Sequence, residues 1–266
     1  MAAPRGVSES GLCSTSAALG TGCKGEVVGE WHDLGPTTDH VVAEHRLRGA
    51  GWTRCGAGDW AIALGSPDGA FAARISPFDP TGPLTAELYR RAASTGLVPA
   101  VAHHARLKGG GDLLVMERLL AVPHDEAVAF LEDIATDAPT VHDLVTILHE
   151  VHAEGVALLP WCGPLDTNPA NVMKRHDGTL VLTDPFYADG PVLYSAALHD
   201  PERVARLIPP DERRYLTEIP LAGSGPWADG HQDRIRAALA SADASLAGRA
   251  TSLDVRAARA RRRGST

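Results

Sequence analysis

Asp166-Thr167-Asn168-Pro169-Ala170-Asn171, answered by Thr183-Asp184-Pro185-Phe186, is the stretch whose reading decides the fold. Asn171 follows Asp166 by five positions, and Asp184 follows Asn171 by thirteen. Between them lie two β-like runs, Val172–Lys174 and Leu180–Thr183, joined by His176-Asp177-Gly178, a hairpin signal. A hairpin there carries Asn171 and Asp184 to one edge. The plain alternative is that Asp166 and Asn171 cap turns and Asp184 ends a strand.

Upstream, Thr140–Glu154 reads as a helix with Val141, Leu144, Val145, Leu148, Val151 and His152 on one face. Gly155 is expected to end it. His124–Asp137 predicts the helix before it, and Leu113–Glu117 a short buried strand. Further back, Trp52–Cys55, Trp60–Leu64 and Ala70–Ile75 read as strands. Ser66-Pro67-Asp68-Gly69 is a type I turn between the last two. Leu84–Ser94 reads as a helix, and so does Thr38–Arg48, capped by Thr38 or Asp39. Gly25–Trp31 is a possible short strand. Beyond Asp189, helical pieces are expected at Pro201–Leu207, Asp211–Leu216 and Gln232–Ala260.

This order is α+β in two unequal lobes. The expected division is an extension over 1–50, a β-rich small lobe over 51–118, a mostly helical large lobe over 119–250 and a basic tail over 251–266.

The helix, the D-x4-N loop, the hairpin and Thr-Asp-Pro-Phe together resemble the protein-kinase-like superfamily, which includes eukaryotic-type kinases and antibiotic phosphotransferases. The resemblance spans roughly Trp52–Asp189. It implies a bilobal kinase-like fold, with ATP and Mg2+ as cofactors. Asp166 would be the catalytic base or would orient the acceptor hydroxyl. Asn171 and Asp184 would hold magnesium, which takes oxygen ligands and usually only one or two carboxylates. The glycines of Gly56-Ala57-Gly58 would cover the phosphates. Arg74 falls where the family has a strand lysine, and Glu87 where it has that lysine's partner. Leu114–Leu119 resembles the hinge between lobes, where backbone near Glu117 and Leu119 would bind adenine.

Departures limit what the resemblance implies. Arginine replaces lysine at 74 and brings a planar, bidentate head; it either holds phosphate or pairs with Glu87. Pro185-Phe186 replaces Phe-Gly. Pro164-Leu165 precedes Asp166, with no His-Arg or His-Gly, and Asn168 stands where protein kinases carry lysine. No Ala-Pro-Glu follows, and little room remains for an activation segment. A hydroxyl-bearing small molecule is therefore the expected acceptor. A nucleotide-binding pseudokinase acting as scaffold or regulator and an unusual Ser/Thr protein kinase stay open. A rival glycine run, Gly20–Gly25, fits G-x-G-x-x-G but lies 49 residues before Arg74. No Walker P-loop exists.

Composition narrows the classes further. Three lysines stand against many arginines, with abundant Ala and Gly, a bias that points to a GC-rich bacterial genome. A net charge of -8 disfavours nucleic-acid binding. The five arginines within Arg256–Arg263 read as a solvated helix end. Cys13, Cys23, Cys55 and Cys162 form no metal-finger spacing, as expected of free thiols in a cytoplasmic protein. No run is long and apolar enough for a membrane. His149-Glu150-Val151-His152 falls one residue short of a zinc-protease motif. His103-His104 is expected in a loop, and Cys162 lacks a placed base.

Overall fold

In this computed structural model the described residues are 30–58, 60–219 and 227–263. The run Gly20–Gly25 lies outside them, as does most of the strand expected from Gly25; Trp31 itself stands in a turn. Helix α1 (His40–Gly49) begins where a cap was expected: Asp39 Oδ1 accepts the Val42 N–H at 2.9 Å.

Five strands follow around it: β1 (Thr53–Ala57), β2 (Ile62–Gly65), β3 (Phe71–Ser76), β4 (Val101–Leu107) and β5 (Gly111–Glu117). They form one antiparallel sheet in the order β1-β2-β3-β5-β4. The β2–β3 turn is built by its sequence. Gly69 sits at φ 74°, and Asp68 Oδ1 accepts from Ser66 Oγ and from the Ala70 N–H. Strand β4 corrects the sequence reading, because it carries His103 and His104, which were expected in a loop. Val-Ala-His-His-Ala-Arg-Leu has no apolar alternation; its histidines are tied down individually, His103 to Leu34 O and His104 to Asp112 Oδ2, both at 3.0 Å.

Helix α2 (Gly82–Ala92) sits between β3 and β4. Helices α3 (His124–Ala135) and α4 (His142–Leu158) follow the sheet. The second corrects another expectation, since it runs through Gly155. A Cβ at Gly155 would lie 2.5 Å from Leu84 Cδ1. That glycine admits α2 against α4 and does not end the helix. A small sheet comes next, β6 (Leu120–Ala121) pairing β7 (Val172–Lys174), which pairs β8 (Leu180–Leu182). The β7–β8 hairpin turns at Gly178, φ 92°. Helices α5 (Gly190–His199), α6 (Pro201–Leu207) and α7 (His231–Arg263) complete the chain. The sequence reading lacked α5, whose first turn holds Gly190 and Pro191; Asp189 caps it, accepting the Val192 N–H at 2.9 Å. Asp211–Leu216 is not a regular helix, and only a short 3-10 turn follows at Leu216–Glu218.

The protein is thus α+β, with a five-stranded antiparallel sheet and, among the described residues, seven α-helices, in the two-lobed arrangement that the sequence predicts. Three apolar cores hold it. One joins α1 and Trp31 to the outer face of the sheet through Leu47, Trp52, Leu64 and Val115. Another joins α2, α3, α4 and the β7–β8 hairpin through Leu88, Leu144, Leu148, Val172 and Phe186. The third gathers the C-terminal helices around Trp161, Tyr194 and Ile235. Helix α2 therefore packs with the helical lobe, although the chain enters it from the sheet. No helix among the described residues is long and apolar enough to cross a membrane.

Candidate functional site

Between the lobes lies a cleft of about 710 Å³. Its floor is the loop from Pro164 to Asn171 and the segment Thr183–Tyr187; its roof is the β1–β2 hairpin with Arg74 of β3.

The loop is self-supporting. Asp166 accepts the Asn168 N–H on Oδ1 and the Asn171 Nδ2–H on Oδ2, both at 2.9 Å. Its own N–H donates to Pro185 O at 2.9 Å. Asn171 Nδ2 also donates to Asp184 O at 3.2 Å. The hairpin brings the strands together behind these contacts, and Thr183 N–H donates to Asn171 O at 2.7 Å. Asp166, Asn171 and Asp184 therefore meet in one place, fixed mostly by contacts among themselves. Both side-chain bonds of Asn171 use Nδ2, so Oδ1 has no protein donor among the described residues.

Asp184 is held in an uncommon state. Its φ is 47°, in the left-handed region that disfavours most side chains. Its N–H donates to the hydroxyl of Tyr89 at 3.0 Å. Its Oδ2 accepts from Arg74 Nε at 3.2 Å, while Oδ1 is buried with no hydrogen-bond partner. Desolvation in the cleft raises the Asp184 carboxyl above the usual carboxylate range; Arg74 opposes this, and the charges of Asp79 and Asp166 add to it.

Arg74 is where the sequence placed it, but its partner is not. Nη1 donates to Asp79 Oδ2 at 2.8 Å. Glu87 instead accepts from Arg90 and Arg91, one turn along its own helix. Those two arginines hold its carboxyl down to about 2. The expected Arg74–Glu87 pair is replaced by an Arg74–Asp79–Asp184 triad. Burial works against the charge on Arg74, but Asp184 and Asp79 outweigh it and raise its pKa. Burial pushes the Asp79 carboxyl up, and Arg74 with Thr81 overcomes this and holds it below its usual value.

The remaining expected residues divide. Gly58 lines the cleft, beside Ala57; Gly56 is set back on β1, opposite Ala63 across a bulge. From the hinge stretch, Met116 lines the cleft. The Glu117 carboxylate accepts from the Ala100 N–H at 2.7 Å and from Arg175 at 2.9 Å, and the Glu117 N–H donates to Ala100 O. Leu119 is buried. His152, discounted as a zinc ligand, bonds Gly163 O at 2.8 Å and stacks on Phe186, with rings 2° from parallel. His149 is exposed, away from this contact. Burial raises the Cys162 thiol, against a nucleophile's needs.

The sequence reading missed Asp79 and Tyr89. Asp79-Pro80-Thr81 carries an ordinary helix-entry signal, and nothing local marks that carboxylate as a long-range partner. Tyr89 looks like core until the fold puts its hydroxyl beneath Asp184.

No group of three or more His, Cys, Asp or Glu side chains is arranged to hold a metal among the described residues. A magnesium site made of one carboxylate, one amide and phosphate oxygens would not form such a group. The orphaned Asp184 Oδ1 and the undonated Asn171 Oδ1 fit that donor set. No family model matches this chain, and no curated protein matches it. Among solved structures, a choline/ethanolamine kinase family protein from Mesorhizobium loti is similar at 13% identity, over 69% of this chain and 73% of that one, with a TM-score of 0.29. A superposition this loose bears on neither substrate nor mechanism.

Proposed function

We propose that the cleft transfers the γ-phosphoryl group of Mg-ATP to a hydroxyl of a small molecule. The observation that carries this reading is the convergence of Asp166, Asn171 and Asp184, with a buried carboxylate oxygen on Asp184 left unpaired. A buried anionic oxygen without a donor is costly unless a cation completes it. Bound magnesium would supply that cation and neutralise charge developing on the transferred group.

The chain's own residues do the positioning. Asp166, fixed by Asn168 and Asn171, accepts the proton of the acceptor hydroxyl as its oxygen bonds to phosphorus and the bond to the ADP oxygen breaks. Arg74 keeps its charge and directs it into the cleft. Met116, Met173, Ile62 and Ala63 offer an apolar wall suited to a base. A small acceptor is favoured because α5 starts at Gly190, four residues after Phe186, which leaves no length for a peptide-binding activation segment.

The second reading, a nucleotide-binding pseudokinase acting as scaffold or regulator, is favoured by the Arg74–Asp184 contact, which engages one oxygen of the metal-binding carboxylate. Labelled ATP separates them: transfer to a small-molecule extract supports the first reading, and binding without transfer supports the second. Transfer to protein instead selects an atypical protein kinase. The nucleotide site is tested by melting with Mg-ATP. At a hundredfold excess over Kd the ligand adds about 2.7 kcal/mol. No shift in the wild type ends the reading, and an unaltered shift in Asp184→Ala ends the metal assignment.

A further inference from the structure

We propose that Asp79, the residue at the entry to α2, is the positioning residue for Arg74, and that it does so to leave Asp184 able to take a cation. The inference rests on the phosphotransferase reading and goes beyond it, because that reading needs only a cationic group at position 74.

The geometry of Asp79 is fully determined. Oδ1 accepts three hydrogen bonds that start α2: Thr81 N–H at 2.9 Å, Thr81 Oγ1 at 2.9 Å and Gly82 N–H at 2.8 Å. Oδ2 is left for Arg74 Nη1 at 2.8 Å. The backbone of Asp79 is pinned as well, its carbonyl accepting from Arg106 Nη1 at 2.7 Å. The side chain is 4% exposed, against 37% for Asp184, so Asp79 is the more enclosed partner, although Asp184 Oδ1 itself is buried.

This arrangement accounts for arginine at 74. A guanidinium offers donors along separate edges of one plane, and an ammonium offers one point. Nη1 goes to Asp79 and Nε to Asp184, while Nη2 has no protein acceptor among the described residues and Arg74 lines the cleft. A partner on the helix body, at Glu87, would not have this effect, since Glu87 is held by Arg90 and Arg91. With Asp79 neutralised, Asp184 is the carboxylate left bonded to Arg74, since Asp112, which also acts on its charge, is paired with His104 and Arg106. Arg74 then competes with the cation for it.

The test is a Mg2+ titration of the ATP-dependent melting shift of the full-length chain, comparing wild type with Asp79→Asn. Asparagine keeps an oxygen for Thr81 and Gly82 and removes the charge facing Arg74. The variant is expected to need on the order of tenfold more Mg2+ for half the shift. In the Arg74→Met background, adding Asp79→Asn is expected to leave the Mg2+ requirement unchanged. An equal requirement in wild type and Asp79→Asn overturns the proposal, and so does an increase that persists without Arg74. If Asp79→Asn does not fold, the wild-type arginine resonances decide. On loading, the Arg74 Nε–H signal is expected to move while its Nη protons remain slowly exchanging on Asp79; fast exchange of both overturns the proposal. A wild type that shows no ATP-dependent shift at any Mg2+ concentration overturns the phosphotransferase reading itself, a result distinct from all of these.

Discussion

The hydroxyl of Tyr89, buried on α2, accepts the backbone N–H of Asp184 at 3.0 Å. One helix of the packed core thereby sets the backbone of a residue held at φ 47°. Tyr89→Phe removes the acceptor and leaves a buried N–H unpaired, at a cost of about 1–3 kcal/mol. For a chain of this size each kcal/mol lowers Tm by about 2–4 °C. The expected result is a lower Tm with a weakened Mg-ATP shift. A lower Tm with an intact shift would mean that the hydroxyl serves only stability.

Asp184 and Asp79 should respond to pH in opposite senses. Asp184 has a raised folded pKa, so between its ordinary value and the raised one the folded state holds more protons than the unfolded state, and its contribution to stability falls as pH rises. Asp79 has a lowered pKa, so its contribution is present above the ordinary value and is lost as pH falls through the folded one. Asp184→Asn is therefore expected to raise Tm at neutral pH and abolish the Mg-ATP shift. The gain should vanish below the ordinary carboxylate range. Melting curves across pH check this, and a lower Tm for Asp184→Asn at neutral pH would contradict it.

Gly155→Ala sets helix propensity against packing. Alanine is favoured in a helix interior by about 1 kcal/mol. Its Cβ would stand 2.5 Å from Leu84 Cδ1, and overpacking of that kind costs about 1–3 kcal/mol. Urea unfolding is expected to show a net loss of stability. Gly178→Ala tests a different cause at the hairpin turn, where φ is 92° and a Cβ would meet nothing within 4 Å. A loss there would come from backbone strain alone.

Arg175 bonds Gly96 O, Val98 O and Glu117, stitching the β7–β8 hairpin to the start of β4 and the end of β5. Among the described residues Arg90 pairs only with Glu87 on its own helix, largely in solvent. Truncating Arg175 to alanine is expected to cost about 1.5–3 kcal/mol, as for lost bonds to a charged group. Arg90→Ala should cost far less, because a solvent-screened pair on one helix contributes little. Equal losses in denaturant titrations would refute the assigned role of Arg175.

The floor of the cleft was legible because it is local. Asp166, Asn171 and Asp184 are joined by a loop and a hairpin whose turn residues declare themselves, and both hairpin strands fall where the sequence predicts. The roof was legible only in outline. Arg74 could be located, but its partner could not, because Asp79 divides one carboxylate between a helix start and a distant guanidinium. Glu87 satisfied helix periodicity and still faced its own neighbours. Strand β4 escaped because its histidines are anchored by specific contacts with no apolar alternation to reveal them. Gly155 read as a helix end because a close approach between α2 and α4 leaves no mark in either sequence alone.

Helix α2 shares its apolar core with α3, α4 and the β7–β8 hairpin. Leu88 and Tyr89 are almost wholly covered there, and Arg91 reaches Glu154 of α4 through two bonds of 2.8 Å. The chain that leaves the sheet at Ser76 thus returns to it at Val101 only after a passage through the helical lobe. A fragment cut at the end of β5 would expose the whole inner face of α2. The shared core couples the two lobes, and heating is expected to remove both in a single cooperative transition.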